Sequence, residues 1–343
     1  MKILAIDTSC DETAAAVTEG RKILSNELFS QIQLHKEYGG VMPQLARRAH
    51  EEHIDEVIEL ALQKAHVTMN DIDAIAVTFG PGLAIALGVG IDAAKDLATK
   101  HTKKLIAVNH MEGHIYSCFA QNSKGNPAVD MNFPYIVALV SGAHTELVLF
   151  SDQCTYSIIG RTLDDALGEA LDKAARLIVD EALYPGGPVI EELAKKGNPT
   201  AYSFPRPMQY SKDLDFSYSG LKTSLRYMIR SMSEQERIGS MHDLAASFQA
   251  AAFDALLIKL EKAMVQQNIF NVAVGGGVIA NMLLRKEIQK LVHRYKGTVH
   301  FPTSKKVYGD NAGMIGIAAY FHAQKGDYVK DISLLERSAR VQL

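Results

Sequence analysis

Cysteine is scarce in this chain of 343 residues, which has only three. Cys10, Cys118 and Cys154 lie far apart in the sequence, so they indicate neither a disulfide framework nor a CxxC zinc site. Proteins with so few, unpaired thiols are typical of a reducing compartment. The sequence therefore predicts a cytoplasmic protein.

The sequence also predicts no targeting segment and no membrane-spanning segment. The chain opens with a strand-like run at residues 2–6 and has no charged, apolar and cleavable leader. Residues 74–91 carry no charge over a length that would suit a membrane span, but Gly80, Pro81 and Gly82 interrupt them. We expect a buried strand, a sharp turn and a closely packed helix there, and no membrane partner.

An excess of positive charge is absent, since the net charge is −3 and the isoelectric point about 6.5. A protein that binds nucleic acid alone is usually basic. The basic clusters, such as Arg226 with Arg230, are more typical of solvated helix faces. If RNA is the substrate, we expect the positive charge to be local or to come partly from a partner.

The order of predicted elements indicates an α/β protein with two similar halves. Strand, polar turn and returning strand occur at residues 2–6, 7–13 and 14–18, and again at 135–140, 141–144 and 145–150. The other predicted strands are 23–29, 73–79 and 271–274, and the predicted helices are 42–65, 90–100 and 243–267. A duplicated α/β plan predicts two lobes around a cleft. Residues 122–132, rich in Asn, Gly and Pro, are the predicted boundary region.

Three turns follow strands and are rich in small residues, at 7–13, 141–144 and 275–277. Backbone N–H groups in such turns bind phosphate, and the last turn leads into a helix near Asn281. Each turn alone also fits an ordinary hairpin. Because the chain has no GxxxxGK[ST] and no GxGxxG motif, a nucleotide in the cleft would belong to another architecture.

His110 and His114 are four residues apart, a spacing that places both imidazoles on one helix face where they can chelate a metal. The order differs from the HExxH of zinc proteases, because Glu112 follows the first histidine by two residues. Asp310 is a candidate third ligand. Two imidazoles and one carboxylate with open positions suit Fe²⁺, the ion we expect, or Zn²⁺.

Taken together, the motifs resemble those of the bacterial tRNA N6-adenosine threonylcarbamoyltransferase family over about residues 3–320. They are, in order, DTSCDET (7–13), GPGL (80–83), NHMEGH (109–114), LVSG (139–142), DDALGEALDK (164–173), YPGGP (184–188), FSYSGLKT (216–223), GGGVIAN (275–281) and DN (310–311). The resemblance implies a duplicated, two-lobe actin/Hsp70/hexokinase-like (ASKHA) fold with a central cleft. We expect lobes at 1–130 and 131–343, with the last helix packing back on the first lobe.

The resemblance also implies roles for individual residues. The metal ligands would be His110, His114 and Asp310. The residues expected to hold the substrate are Leu139, Val140, Ser141, Gly142, Ala143, Asp172, Gly187 and Asn281. From their place in the first polar turn, we expect Asp11 or Glu12 to orient or deprotonate the attacking amine, although both also fit ordinary turn residues.

Five positions depart from the family pattern. Ala143 replaces a second glycine in the expected phosphate loop, and Tyr308-Gly309 replace Cys-Thr before Asp310. Ile85 stands where the GPGL segment usually continues to glycine, and Glu191 stands where many members have aspartate. We expect altered loops around an unchanged type of site.

The activity that the resemblance implies is transfer of a threonylcarbamoyl group from L-threonylcarbamoyl-AMP to adenosine 3′ to the anticodon of tRNA. The implied partners are a separate synthase that makes the adenylate, a paralogous subunit of the same fold that pairs through the first lobe, and a small P-loop ATPase. A sugar or acetate kinase, a zinc protease and an ATP-binding scaffold remain as alternatives. A kinase activity would leave the histidine pair without a function. A zinc protease would need a glutamate directly after the first histidine, and this sequence has none there.

Overall fold

The first half of the chain forms a mixed five-stranded sheet. The computed structural model describes residues 1–181 and 183–343. The strands are β1 (Lys2–Asp7), β2 (Glu12–Glu19), β3 (Lys22–Ser30), β4 (Ala74–Gly80) and β5 (Lys104–Asn109), in the order β3-β2-β1-β4-β5. β1 pairs antiparallel with β2 and parallel with β4. The carboxyl ends of β1, β4 and β5 therefore meet at one edge of the sheet.

The second half repeats this plan. Its strands are β6 (Tyr135–Val140), β7 (Thr145–Asp152), β8 (Thr155–Arg161), β9 (Asn271–Gly275) and β10 (Thr298–His300), in the order β10-β9-β6-β7-β8. β6 pairs antiparallel with β7 and parallel with β9, as β1 does with β2 and β4. The same strand order and the same directions in both sheets confirm the predicted duplication.

Helices lie on both faces of the sheets. They are α1 (Ile32–His35), α2 (Pro43–Lys64), α3 (Ala84–Lys100), α4 (His110–Ser117), α5 (Leu167–Val179), α6 (Gly187–Ala194), α7 (Ser219–Arg230), α8 (Glu234–Gln267), α9 (Met282–Arg294) and α10 (Ala312–Gln324). No helix in the described part of the chain is long and apolar enough to cross a membrane. The three cysteines are unpaired.

Alternating strand residues build two cores on opposite faces of the first sheet. Ile3 and Ala5 face a central core, whereas Leu4 and Ile6 face an outer core covered by α2 and α3. Successive side chains of a strand point to opposite faces, and a strand buried on both faces has a continuous apolar sequence. This explains why 2–6 was recognisable as a buried strand.

The central core lies between the two sheets. Val137 and Leu139 of β6 contribute to it from the second sheet, together with apolar residues of α4 and α10. Ile136 and Ala138 face a third core, under α5, α8 and α9. Helix α10 packs against β1, β2 and α4. The helix that carries the histidine pair is thus held inside the molecule, next to both sheets. The division into lobes at 1–130 and 131–343 stays a prediction.

The sequence predicted several element boundaries well and others poorly. Helix α2 and strands β1, β3 and β4 lie within about two residues of prediction, which is the usual uncertainty of element ends. Helix α3 begins at Ala84, six residues before the predicted start, because the apolar run after Gly82 is its buried face. Helix α8 begins at Glu234, where Ser233 and Glu236 form a capping box that the sequence reading missed.

Candidate active site and metal centre

A cavity of about 570 Å³ lies at the carboxyl ends of the central strands of both sheets. It is lined by Ser9, Cys10, Asp11, Glu12, Ile32, Pro81, Gly82, Leu83, His110, Ser141, Gly142, Ala143, His144, Glu169, Asp172, Tyr184, Pro185, Gly277, Gly309, Asp310 and Ala339. A second cavity of about 260 Å³ shares Gly142, Asp172 and Tyr184 with it and continues toward α6 and α9. The two form one cleft with two compartments, at the position where open α/β sheets bind ligands.

The histidine pair lies on α4, which begins directly where β5 ends. Asn109 caps the helix, because its Oδ1 accepts a hydrogen bond of 2.9 Å from the N–H of Met111. His110 and His114 are one helical turn apart and both are buried, with ring centroids at 4.8 Å. The predicted placement on one helix face is therefore confirmed.

Asp310 approaches both imidazoles from the loop before α10. Its Oδ1 lies 3.3 Å from Nε2 of His110 and 3.2 Å from Nε2 of His114. One ligand atom from each of the three residues falls within 4.8 Å of the others, as metal coordination by three protein ligands requires. The structure brings together the three predicted ligands.

Several buried polar atoms of this cluster have no hydrogen-bond partner among the described residues. They are Oδ2 of Asp7, Nδ1 of His110, and both ring nitrogens of His114. Buried polar groups are almost always satisfied, and a cation bound beside Asp310 would satisfy Nε2 of His114. Asp7 was not among the predicted site residues; its Oδ2 lies 3.5 Å from Nδ1 of His110, where a carboxylate orients a metal-binding imidazole. The residues fit a divalent cation.

The charges of the cluster reinforce each other. Burial would lower the pKa of His110, but Asp310 and Asp7 outweigh it and hold that pKa well above its ordinary value. Burial would raise the pKa of Asp310, but His110 and His114 hold it well below its ordinary value. Asp310 is therefore an ionised carboxylate, the form that binds metal.

The wall of the larger cavity is acidic. Asp11, Glu12, Glu169, Asp172 and Asp310 all line it, and none of its described lining residues is Lys or Arg. Like charges at short range in a partly buried site repel each other by several kcal/mol, as roughly estimated from Coulomb's law. An anionic ligand such as an adenylate would need a cation here, so the electrostatics agree with the metal centre.

Asp11 and Glu12 lie where β2 begins and face the cavity. Oδ2 of Asp11 accepts a hydrogen bond of 3.0 Å from the hydroxyl of Tyr184, which comes from the second half of the chain. Burial, then Asp11 and Asp310, raise the pKa of Glu12 well above its ordinary value. Tyr184 was missed as a site residue, although the YPGGP motif that contains it was recognised.

The expected phosphate loop follows strand β6, which ends at Val140 as predicted. Leu139 and Val140 belong to strand β6 and are fully buried, so their side chains do not reach the cavity. The loop consists of residues 141–144, in which Gly142 and Ala143 are exposed. The N–H of His144 donates to Oγ of Ser141 at 3.1 Å, which holds the turn closed.

The third of the small-residue turns, at 275–277, packs against β6. Gly276 has φ of +98°, and a Cβ there would lie 2.4 Å from the carbonyl oxygen of Val140. Only glycine combines this backbone conformation with so close an approach. The turn therefore brings Gly277 to the wall of both compartments.

Asp172 lies between the two compartments. Its Oδ1 accepts hydrogen bonds from the N–H groups of Gly186 (2.7 Å) and Gly187 (2.8 Å). Burial raises the pKa of Asp172 above its ordinary value. Oδ1 thus binds the loop before α6. Oδ2 accepts no hydrogen bond from the described residues, so it can accept one from a ligand.

Asn281 lines the smaller compartment but is mostly engaged in structure. Its Oδ1 accepts from the N–H groups of Leu283 and Leu284, and its Nδ2 donates to Gln249. It caps α9, so its free hydrogen-bonding capacity is one Nδ2 hydrogen, less than predicted. Glu191 lines the same compartment and accepts a hydrogen bond of 3.0 Å from the N–H of Met282.

Two other departures from the family pattern have visible consequences. Tyr308 and Phe301 both contact the guanidinium of Arg285, whose Cζ lies 4.9 Å and 4.7 Å from the two ring centroids. This cation–π contact holds the loop before Asp310. Ile85 lines a separate cavity on the surface near α2, so it does not alter the central cleft.

Comparison with known proteins gives one consistent result. The sequence model of the family described as tRNA N6-adenosine threonylcarbamoyltransferase matches residues 22–317. A relative with that name from Clostridium kluyveri is 46% identical over 330 residues, covering 95% of this chain and 94% of its own. Another from Thermosipho melanesiensis is 44% identical over 320 residues, covering 93% of this chain and 94% of its own.

Solved structures with low sequence identity share the architecture. HypF from T. kodakarensis superposes with a TM-score of 0.62 at 16% identity, covering 94% of this chain and 48% of that one. A ROK hexokinase from Thermus thermophilus superposes with a TM-score of 0.50 at 15% identity, covering 95% of this chain and 100% of that one. At such identities the likeness concerns the fold alone, and it confirms the predicted duplicated actin/Hsp70/hexokinase-like fold.

Proposed function

The chain belongs to the tRNA N6-adenosine threonylcarbamoyltransferase family, and we propose that its cleft transfers a threonylcarbamoyl group from L-threonylcarbamoyl-AMP to tRNA. The acceptor is the N6 amine of the adenosine 3′ to the anticodon. The observation that carries the proposal is a cleft of two joined compartments with a candidate metal centre at the wall of the larger one.

The two compartments suit the two ends of an adenylate. The smaller one has an apolar wall with Leu171, Pro188 and Val278, and would hold the nucleoside, with Oδ2 of Asp172 accepting a hydrogen bond from a ribose hydroxyl. The phosphate would lie against the exposed N–H groups of the 141–144 loop. This arrangement directs the carbamoyl group into the larger compartment, toward Asp310.

His110, His114 and Asp310 would hold one divalent cation, Fe²⁺ or Zn²⁺, which supplies Lewis acidity and offsets the negative charge of the substrate and the acidic wall. Asp7 would fix the orientation of the His110 ring. Because α4 is buried between the two sheets, both imidazoles are held in place before the substrate binds.

The chemical step is an acyl transfer without a covalent enzyme intermediate. The lone pair of the N6 amine forms a bond to the carbamoyl carbon, the bond from that carbon to the phosphate oxygen breaks, and AMP leaves. The amine loses one proton, for which Asp11 and Glu12 are the acceptors at the cavity wall. Tyr184 holds Asp11, and the raised pKa of Glu12 suits a proton acceptor.

The charge of the chain favours a dependence on partners. With a net charge of −3 it has no general attraction for tRNA, so binding needs a local surface or a partner. The proposed partners are tRNA, a paralogous subunit of the same fold, a small P-loop ATPase, and the synthase that supplies the adenylate, all in the cytoplasm.

One preparation of the protein, tested in parallel assays, distinguishes the candidate activities. With tRNA, threonylcarbamoyl-AMP, partners and metal, we expect N6-threonylcarbamoyladenosine in nucleoside digests, and no sugar phosphorylation or peptide cleavage. Phosphorylation of a sugar or acetate, with no modified tRNA, would instead favour a kinase of the same fold.

A further inference from the structure

Residues 329–342, called the strap here, cross the first half of the molecule and end at the central cleft. The N–H of Val329 donates to the carbonyl of Leu105 at 2.9 Å, next to β5. Val329, Ile332 and Leu335 pack partly buried on the outer core, and Nζ of Lys95 donates to the carbonyl of Ser333. The first part of the strap is thus anchored on α3 and β5, away from the site.

The second part of the strap pairs with the turn after β4. The N–H of Ser338 donates to the carbonyl of Phe79 at 2.8 Å, and the N–H of Gly82 donates to the carbonyl of Ala339 at 3.3 Å. A Cβ on Gly80 would lie 1.9 Å from the carbonyl oxygen of Ser338. The glycine at 80 is therefore needed for the strap to approach, and Ala339 forms part of the cavity wall.

The same part of the strap reaches the start of the metal-bearing helix. Nδ2 of Asn109 donates to the carbonyl of Gln342 at 3.1 Å, while Oδ1 of the same side chain caps α4. Asn109 directly precedes His110. One side chain therefore connects the strap to the first turn of α4.

The strap is connected to the first polar turn as well. The N–H of Leu83 donates to the carbonyl of Ser9 at 2.8 Å, so the 80–83 turn links the strap to the segment that carries Asp11. Strap residues 336, 337, 339 and 340 are exposed, whereas Val341 is half-buried beside Gly80. Leu343, directly after the strap, packs on the central core, so hydrogen bonds and apolar contacts together hold this part of the strap.

We propose that strap residues 338–342 position the metal-bearing helix and the first polar turn for the transfer reaction. They are positioning residues, acting through Asn109 on His110 and through the 80–83 turn on Asp11. The proposal rests on the proposed function for its effect on transfer, but its effect on metal binding is independent of the substrate.

The test uses two variants of the full chain and one control. Gly80→Ala pushes Ser338 away from the turn. Asn109→Ser removes the donor to Gln342 but leaves a residue that caps helices well, so it separates the strap contact from the cap. Gly239→Ala is the control, because a Cβ there meets no atom within 4 Å.

Two measurements apply: Zn²⁺ affinity by competition with a chelator, and amide hydrogen exchange of residues 110–117. We expect both variants to bind Zn²⁺ about 10–100-fold more weakly, the range for loss of a residue that orients metal ligands, and to exchange faster in α4. We expect Gly239→Ala to match the parent. If Gly80→Ala does not fold, Asn109→Ser still decides the matter.

Parent-like Zn²⁺ affinity and α4 exchange in every folded variant would overturn the proposal, whatever their transfer rate. Weakened Zn²⁺ binding would support it even if the parent protein modified no tRNA. A parent protein that modifies no tRNA would reject only the proposed function, so the failure of either proposal can be distinguished from that of the other.

Discussion

The network behind α4 allows a quantitative prediction for His322→Gln. Glu112 lies on α4 between the two histidines of the candidate metal centre and is 3% exposed. Its Oε1 accepts a hydrogen bond of 2.6 Å from the hydroxyl of Tyr156, and its Oε2 lies 2.7 Å from Nε2 of His322. Nδ1 of His322 lies 2.8 Å from Oδ2 of Asp327. The imidazole is thus held between two carboxylates.

Breaking a buried ion pair by removing one partner costs about 3–5 kcal/mol, because the other charge stays buried. Glutamine keeps a neutral donor near Glu112, so we expect the lower end of that range at pH 6. Burial would lower the pKa of His322, but Glu112 and Asp327 raise it above its ordinary value. Its stabilisation is therefore fully present below about pH 6.5, the unfolded pKa, and is lost as the pH rises through the raised pKa.

Urea denaturation at several pH values tests this prediction. As the pH rises through the raised pKa of His322, the parent loses a stabilisation that His322→Gln lacks at every pH, so the difference in the free energy of unfolding between the two should shrink. His293→Gln is the matched control, since His293 is exposed on α9. If His322→Gln lowers the free energy of unfolding by less than about 1 kcal/mol at pH 6, the reasoning is refuted, because removing one partner of a buried ion pair costs more. A pH dependence identical to that of the parent would refute it as well.

Three predictions concern the cleft itself. His110→Ala combined with His114→Ala should remove the metal while the fold is retained, as measured by elemental analysis and circular dichroism; unchanged metal content would reject the ligand assignment. Asp11→Asn or Glu12→Gln should lower the single-turnover transfer rate about 10²–10⁴-fold with adenylate binding nearly intact; parent rates in both would leave these carboxylates structural. Asp172→Ala should weaken adenylate binding in calorimetry about 10–100-fold, because it removes a charged acceptor worth about 1.5–3 kcal/mol; parent affinity would place the nucleoside elsewhere.

Local patterns revealed most of the sheet architecture. The strands β1, β4 and β6 are continuous apolar runs because both of their faces are buried, and such runs are recognisable without knowledge of the fold. The spacing of His110 and His114 likewise predicts a shared helix face. The three candidate metal ligands were thus named from the sequence, the histidines by their spacing and Asp310 by its loop before a helix and by the family resemblance.

Contacts between distant segments were not predictable in this way. Tyr184 reaches Asp11 across the cleft, a contact that depends on how the two halves of the chain meet. Asp7 reaches His110 within the first half, a contact that depends on the strand order that brings the ends of β1 and β5 to one edge of the sheet. Leu139 and Val140, expected at the substrate site from the family resemblance, are the last residues of the strand predicted at 135–140, and their side chains lie in the core. The strap was invisible to sequence patterns, because backbone hydrogen bonds hold it at the cleft.

The most direct test of the proposed transfer uses two tRNAs that differ at one nucleotide. The metal-loaded protein, its partners and threonylcarbamoyl-AMP labelled in the threonine moiety are incubated with tRNA carrying adenosine 3′ to the anticodon, or guanosine there. We predict label in the adenosine tRNA alone, with one AMP released for each group transferred. No label in that tRNA, in a mixture where the Clostridium kluyveri relative does label it, would contradict the account.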